Sequence, residues 1–316
     1  MRALAAGAVA AAIATVVSGS ASASVSVRTP SAASTAKIAF VDVGQGDGVV
    51  IRVGGKFIVS DAGLPGKAAK MDAALDALGA DDHIDLAILS HGHIDHVGGY
   101  RKLVQDFHYQ IDRVLASPNP KWGTVTNQSI LDALTVGGGA ELTWATKGDS
   151  LSLGGATVSV LSPAQGTFTT LSNIENSSLV YTLSVNGRRL LFTGDIKQQA
   201  TAQLAAGWGD RGRAHIFLAT HHGSGSGSSD ALLAKITPRF AVISVGESNS
   251  FGHPSVETIA RLRSPTATTE RIYCTARNGT VQATISTSGA ISWQGTDQAA
   301  PWWSRTAGQS GLCAGR

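Results

Sequence analysis

Cysteine occurs only twice in this chain, at positions 274 and 313, and neither lies in a C-x-x-C or zinc-ribbon spacing. That excludes a thiolate-rich metal site and a thioredoxin-like redox motif. Charge is scarce as well: 15% of the 316 residues are charged and the formal net charge is +3. So small a total does not mark a nucleic-acid binder by itself, although a local patch can hide inside it. Beyond residue 17 no run has the length and apolarity to cross a bilayer. No internal repeat of short fixed period occurs, which sets aside solenoid arrays.

What is present begins with Arg2, an apolar run from Ala3 to Val17 and the small-residue triplet Ala21-Ser22-Ala23. The run is shorter than the ~20 residues a membrane span needs, so residues 1–23 read as a secretory signal peptide cut after Ala23. The mature chain is then expected outside the cell, away from the membrane and monomeric. In an oxidising compartment Cys274 and Cys313 read as one disulfide pinning the tail to the body, with two free thiols the alternative.

Residues 24–36 are rich in Ser, Thr, Ala and Pro and read as a flexible leader. From Lys37 three apolar runs, 38–43, 48–53 and 57–60, are separated by glycine turns and predict a β-meander. Helical spacing follows in "KAAKMDAALDALGA", then a buried strand in "IDLAILS", and a helix is expected to start at "VGGYRKLVQDF". Later, "NGRR" between "LVYTLSV" and "LLFTGD" predicts a hairpin. "IKQQATAQLAAG", "SSDALLAKI" and "SVETIARLR" predict helices between further strands. A strand meander followed by strand–helix units occurs twice, which predicts two packed sheets with helices outside, a four-layer αββα sandwich. The domain is drawn at 37–292, leaving 293–316 as an irregular tail. Trp293, Trp302 and Trp303 are read as packing that tail onto the body, with base stacking the alternative. Arginine outnumbers acid over the last sixty or so residues, a thin compositional support for a nucleic-acid partner.

Candidate metal ligands gather at the ends of predicted strands. "SHGHIDHVGG" places His91, His93, Asp95 and His96 within six positions; Asp195 follows "RLLFTG", His221 and His222 follow "HIFLAT", and His253 lies in "SFGHP". Imidazole with carboxylate suits zinc or manganese. His91 and His93 alternate and so face one side of an extended stretch, while Asp95 and His96 turn toward a second ion nearby. A two-metal centre is the expectation. Asp195 could instead cap the following helix, and the paired histidines could sit in a mobile loop.

"DVGQGD", "SDAG", "SHGHIDHVGG", "NSSLVYTLSVNGRRLLFTGD", "THHGSGSGSS" and "SVGESNSFGHP" together resemble the metallo-β-lactamase superfamily, and within it the hydrolase-like domain of ComEC-type competence proteins, over roughly residues 37–285. The resemblance implies that His91 and His93 bind one ion, that Asp95 and His96 bind the other, and that Asp195 bridges. His221 or His222 would complete the site, and Asp61 would hold a ligand imidazole. Asp42, Gln45 and Asp47 join Asp61 as residues that brace ligands or touch phosphate. Two departures stand out. Lactamases and glyoxalase-type enzymes of the superfamily carry a further ligand histidine, but here none lies between His108 and His215, and Asn176-Ser177-Ser178 stands in its place. His253, a phosphate oxygen or water is left to fill the first ion's shell. The membrane channel of a DNA-uptake protein is also missing from the sequence.

Two divalent ions about 3.5–4 Å apart can hold a bridging hydroxide, orient a phosphate and stabilise a leaving oxygen. The expected activity is therefore phosphodiester hydrolysis on extracellular DNA or RNA. Asp195 would hold the hydroxide, His222 or His253 would donate a proton or stabilise charge, and Asn176, Ser177 and Ser224 would touch phosphate. A phosphorylcholine-esterase-like enzyme acting on small diesters is the alternative. A lactamase or lactonase is disfavoured by the missing histidine. A non-catalytic DNA-binding module is disfavoured by the intact ligand set.

Overall fold

Alternation along the first strand sets the layering. In Ala36–Phe40, Ile38 and Phe40 enter a core shared with Leu183, Leu190, Ile216 and Val242, while Ala39 faces a second core containing Met71, Leu75 and Val97. Period-two side-chain direction thus sends one strand into two different cores. The computed structural model describes residues 33–170, 172, 174–295, 302–304, 308–309 and 313. The signal peptide assigned to 1–23 and leader residues 24–32 lie outside the described residues.

The first sheet runs, edge to edge, Ile291–Gly295, Val281–Ile285, Ala36–Phe40, Gly48–Val53, Lys56–Ala62, Leu86–Leu89, Arg113–Ala116 and Glu141–Trp144. The second runs Gly308–Gln309, Trp303–Ser304, Arg271–Cys274, Phe240–Ile243, Ile216–Leu218, Arg188–Phe192, Val180–Val185, Ala156–Ser162 and Ser150–Leu153. A first apolar cluster lies between the sheets. A second joins the outer face of the first sheet to the helices Ala68–Leu78, Ile94–Gln105 and Val125–Asp132. A third joins the outer face of the second sheet to Gln198–Gly207, Asp230–Ile236 and Val256–Arg263. Three buried interfaces make four layers, the αββα sandwich expected from the sequence.

Both sheets are parallel where it matters. Lys56–Ala62, Leu86–Leu89 and Arg113–Ala116 run together in the first, and Arg188–Phe192, Ile216–Leu218, Phe240–Ile243 and Arg271–Cys274 run together in the second. The loops after these strands therefore converge on one end of the sandwich. No helix among the described residues is long and apolar enough to cross a membrane.

Three sequence expectations need correction. The helix placed at Val97 starts at Ile94, so Asp95 and His96 lie in its first turn. The tail is not irregular throughout: Ile291–Gly295 pairs with Val281–Ile285 across the 292/293 boundary, and Trp303–Ser304 adds to Arg271–Cys274. Residues 120–144, for which the pattern predicted no element, supply the helix Val125–Asp132 and an edge strand. The tryptophans pack onto the body, as expected, rather than standing free to stack bases. Trp302 and Trp303 are buried in the third core, and Trp293 stacks on Tyr273 and Phe40. Cys274 and Cys313 form a disulfide, as expected.

Candidate metal centre

Short polar segments at strand ends deliver every potential ligand. His91 lies two residues past Leu86–Leu89, and the preceding Ser90 N–H donates to Asp61 Oδ1 at 2.9 Å, which fixes the turn. The helix that follows presses close to the first sheet. A Cβ on Gly99 would come within 2.1 Å of the Ala62 carbonyl oxygen, and one on Gly98 within 2.4 Å of Pro65. The two glycines closing the histidine motif therefore let the helix bring Asp95 and His96 down to the site. Gly46 serves the same end: its φ is +125°, and a Cβ there would meet the Asp95 carbonyl at 2.1 Å.

His221 and His222 occupy a tight turn, and both are left-handed, with φ of 52° and 53°. Such backbone costs on the order of 1–3 kcal/mol per residue and persists only where surrounding structure imposes it. Here it turns two consecutive rings toward one carboxylate. His221 Nε2 lies 3.6 Å and His222 Nε2 3.5 Å from Asp195 Oδ2.

Two donor sets meet at that oxygen. In the first, His91 Nε2 and His93 Nδ1 are 3.0 Å apart, and His91 Nε2 is 3.8 Å from Asp195 Oδ2. In the second, His96 Nε2 is 3.2 Å from Asp195 Oδ2 and 3.2 Å from His222 Nε2, which lies 3.4 Å from Asp95 Oδ2. Behind the rings, Asp61 Oδ2 holds His96 Nδ1 at 2.9 Å. His222 Nδ1 sits 3.1 Å from the Ser244 carbonyl and 3.3 Å from Asp47 Oδ1. These contacts fix which imidazole nitrogen faces the centre.

The electrostatics are those of a buried carboxylate–imidazole cluster. Burial alone would raise Asp195, but His96 and His222 outweigh it and hold the carboxyl well below the usual range. Burial pulls His96 and His222 down, yet the surrounding carboxylates, Asp195 foremost, hold both well above an ordinary imidazole. His91 is driven well below its usual value, first by burial and then by His96. Burial, followed by Lys121 for His93, lowers both His93 and His221. Facing nitrogens at 3.2 Å, with one Asp195 oxygen shared and the other buried without a partner, fit cations better than protons. The donors are nitrogen and oxygen only, a set suited to zinc or manganese.

The remaining candidates divide. Ser224 is buried on the same turn, its Oγ 3.1 Å from Ser226 Oγ. His253 joins neither set; its ring lies 5.6 Å from that of His221 and against Phe251, with Nδ1 buried and unpartnered. Gln45 accepts from Gly246 N–H at 3.4 Å and ties two site loops together. Asp42 turns outward to Lys70 and also accepts from Gly44 N–H. Asn176 accepts from Lys197 N–H, and the fully buried Ser177 hydroxyl donates to the Ile174 carbonyl. The Ser177 hydroxyl and the Asn176 carbonyl oxygen are thereby engaged within the protein. Ser178 is instead the neighbour of the centre, since its Oγ accepts from Asp195 N–H at 3.2 Å.

The Metallo-beta-lactamase superfamily profile matches residues 41–247. ComE operon protein 3 of Bacillus subtilis (strain 168) is 25% identical over 271 residues, covering 80% of this chain and 33% of that protein. Recombination protein 2 of Haemophilus influenzae is 26% identical over 281 residues, covering 87% of this chain and 32% of that protein. The chain thus spans about a third of the length of the curated relatives it matches. Among solved structures, the metallo-β-lactamase fold protein YhfI from Bacillus subtilis aligns with a TM-score of 0.46 at 12% identity, over 71% of this chain and 92% of that one. The profile match spans the ligand candidates from His91 to His222, and the sandwich presents them at one end: the chain belongs to the metallo-β-lactamase superfamily.

Proposed function

We propose that this protein is an exported two-metal phosphodiesterase whose substrate is nucleic acid. The observation that carries the reading is Asp195 Oδ2, which lies within 3.2–3.8 Å of imidazole nitrogens from both donor sets. His91, His93 and Asp195 would hold one ion, with His221 taking the place of the histidine that Asn176-Ser177-Ser178 lacks. Asp95, His96, His222 and Asp195 would hold the other. Bound divalent ions of this kind polarise a phosphate and make water a nucleophile near neutral pH.

The chain's own residues do the rest. Asp61, Asp47 and the Ser244 carbonyl hold ring orientation from behind. His253 stands beside His221 at the rim; burial and the neighbouring imidazoles push it down to about 4, so at neutral pH the ring is uncharged. It would offer one N–H to a phosphate oxygen or leaving group, as would the Ser224 hydroxyl. The recombination role printed in the name of the Haemophilus influenzae relative favours DNA as the polymer. Export is supported by residues 1–23 and by the Cys274–Cys313 bridge, which suits an oxidising compartment.

The deciding experiment is cleavage of plasmid and linear DNA and of RNA by metal-stripped protein resupplied with Mn²⁺, Zn²⁺ or Mg²⁺, with Asp195→Ala as control. Metal-dependent cleavage lost in the variant supports the reading. Hydrolysis of bis-p-nitrophenyl phosphate without nucleic-acid cleavage would redirect it to small diesters. Two bound ions with neither activity would end it.

A further inference from the structure

At the far end of the second sheet, where its parallel strands begin, the backbone lines up Arg189, His215, Arg239 and Glu270 in one row. His215 N–H donates to the Arg189 carbonyl, Phe240 N–H to that of His215 and Glu270 N–H to that of Arg239, at 2.7–2.9 Å. Arg188 adjoins the row, and Arg211 and Arg213, both exposed, come from the segment before His215. Four guanidinium groups, those of Arg188, Arg189, Arg213 and Arg239, therefore act on one imidazole, with Arg211 close by.

Very little negative charge answers them. Arg239 meets Glu270 at 2.9 Å, and among the described residues it is the only one of the five with a carboxylate partner. The others lean on neutral oxygens: Arg188 on the Gly289 carbonyl, Arg189 on those of Arg211 and Arg213, Arg211 on those of Gly207 and Trp208, and Arg213 on Thr268 Oγ1. Asp210 is the one other acid in this segment. The imidazole is caught between donors. Arg189 N–H points at His215 Nδ1 at 3.2 Å, and an Arg188 terminal nitrogen lies 3.1 Å from Nε2. A neutral ring accepts at one nitrogen only, so one of those contacts sets donor against donor. What Arg188, Arg189, Arg211 and Arg213 lack, among the described residues, is an anionic acceptor. Burial first, and then Arg188, Arg213, Arg189 and Arg239, push His215 down to about 4, as a positive local field requires.

We propose that Arg188, Arg189, Arg211, Arg213 and Arg239 form a second nucleic-acid site, which holds the phosphate backbone of a long strand away from the metal centre. This rests on the reading of nucleic acid as the substrate. Arginine suits the task, because its planar fork pairs two phosphate oxygens at once. Arg189 and Asp195 stand at opposite ends of the Arg188–Phe192 strand and the turn after it, with about 10 Å of extended strand between Arg189 and that turn alone. One phosphate group cannot reach both sites, so the cluster would act as an anchor that raises the local concentration of a polymer and leaves short diesters unaffected.

The test is binding of a long labelled DNA strand to metal-stripped protein, followed by fluorescence anisotropy over a series of salt concentrations. The Arg211→Glu/Arg213→Glu double variant should weaken binding roughly tenfold and lower the salt slope by about two. Hydrolysis of bis-p-nitrophenyl phosphate by the metal-loaded variant should be unchanged. If the double glutamate variant unfolds, Arg211→Gln/Arg213→Gln carries the same expectation with a smaller loss. Unchanged affinity and slope in a folded variant would overturn the anchor, as would strong binding of an anionic glycan with none of DNA. Salt-dependent binding through these arginines, in a protein that cleaves no nucleic acid, would uphold the anchor and overturn the catalytic reading instead.

Discussion

His96 and His222 point their Nε2 atoms at each other across 3.2 Å, from chain positions 126 residues apart. One comes from the first turn of a helix on the first sheet, the other from a left-handed turn on the second. The centre therefore exists only when both halves of the sandwich are in register. Asp61 holds the first of these rings from behind at 2.9 Å. An Asp61→Asn variant should keep the fold but lower affinity for the second ion by about 10–100-fold. Competition with a chelating dye, reading the two binding steps separately, checks this; loss of both ions to the same degree would contradict the assignment.

The approach of the ligand helix makes a sharper prediction. Gly99 has no room for a methyl group, because the Ala62 carbonyl lies 2.1 Å from where it would go. Gly99→Ala should destabilise the domain by about 1–3 kcal/mol through overpacking. It should also weaken the second ion's site, since Asp95 and His96 ride on the same helix. Urea unfolding with and without metal gives both numbers, and an unchanged midpoint would show that the helix can shift freely.

Much of this was legible in the sequence, for identifiable reasons. Apolar alternation and glycine turns marked the meander, and "NGRR" marked the hairpin between Val180–Val185 and Arg188–Phe192. The ligand cluster was legible because four donors in six positions have little structural use otherwise. The helix start was misplaced because His93, at its N-cap, makes no side-chain capping bond and carries none of the usual cap chemistry. Choosing between His221 and His222 was impossible in principle. Both face Asp195 only because two successive residues adopt left-handed backbone, which nothing in "THHG" announces for histidine. The tail strands pair over two residues each, too short to carry a period.

The bridge between Cys274 and Cys313 closes a separation of 39 residues. In the chain-entropy account that stabilises the fold by roughly 3–4 kcal/mol. A Cys274→Ser/Cys313→Ser variant, or the reduced protein, should lose about that much in denaturant unfolding. A loss well under 1 kcal/mol would mean that the tail is held by its tryptophans instead.

His215 predicts a pH effect unconnected with metal. Its value of about 4 lies below the ~6.5 of an unfolded chain, so the unfolded state takes up the proton first. Its contribution to stability is complete above about pH 6.5 and is lost as pH falls toward 4. The difference in unfolding midpoint between the parent and a His215→Asn variant should therefore shrink across that interval. A difference that stays constant from pH 7 to 4 would contradict it.

The short strand Trp303–Ser304 lies along Arg271–Cys274, with Trp303 and the preceding Trp302 buried and Cys274 bonded to Cys313. Without it and Gly308–Gln309, Arg271–Cys274 would be the open edge of a seven-stranded sheet, paired in parallel with Phe240–Ile243 and largely buried. Such edges recruit other chains. A proteolytic product ending near Gly295 would keep every ligand of the metal centre and yet tend to assemble edge to edge with its own copies. Trp303–Ser304 thus covers an edge that would otherwise be open to self-association.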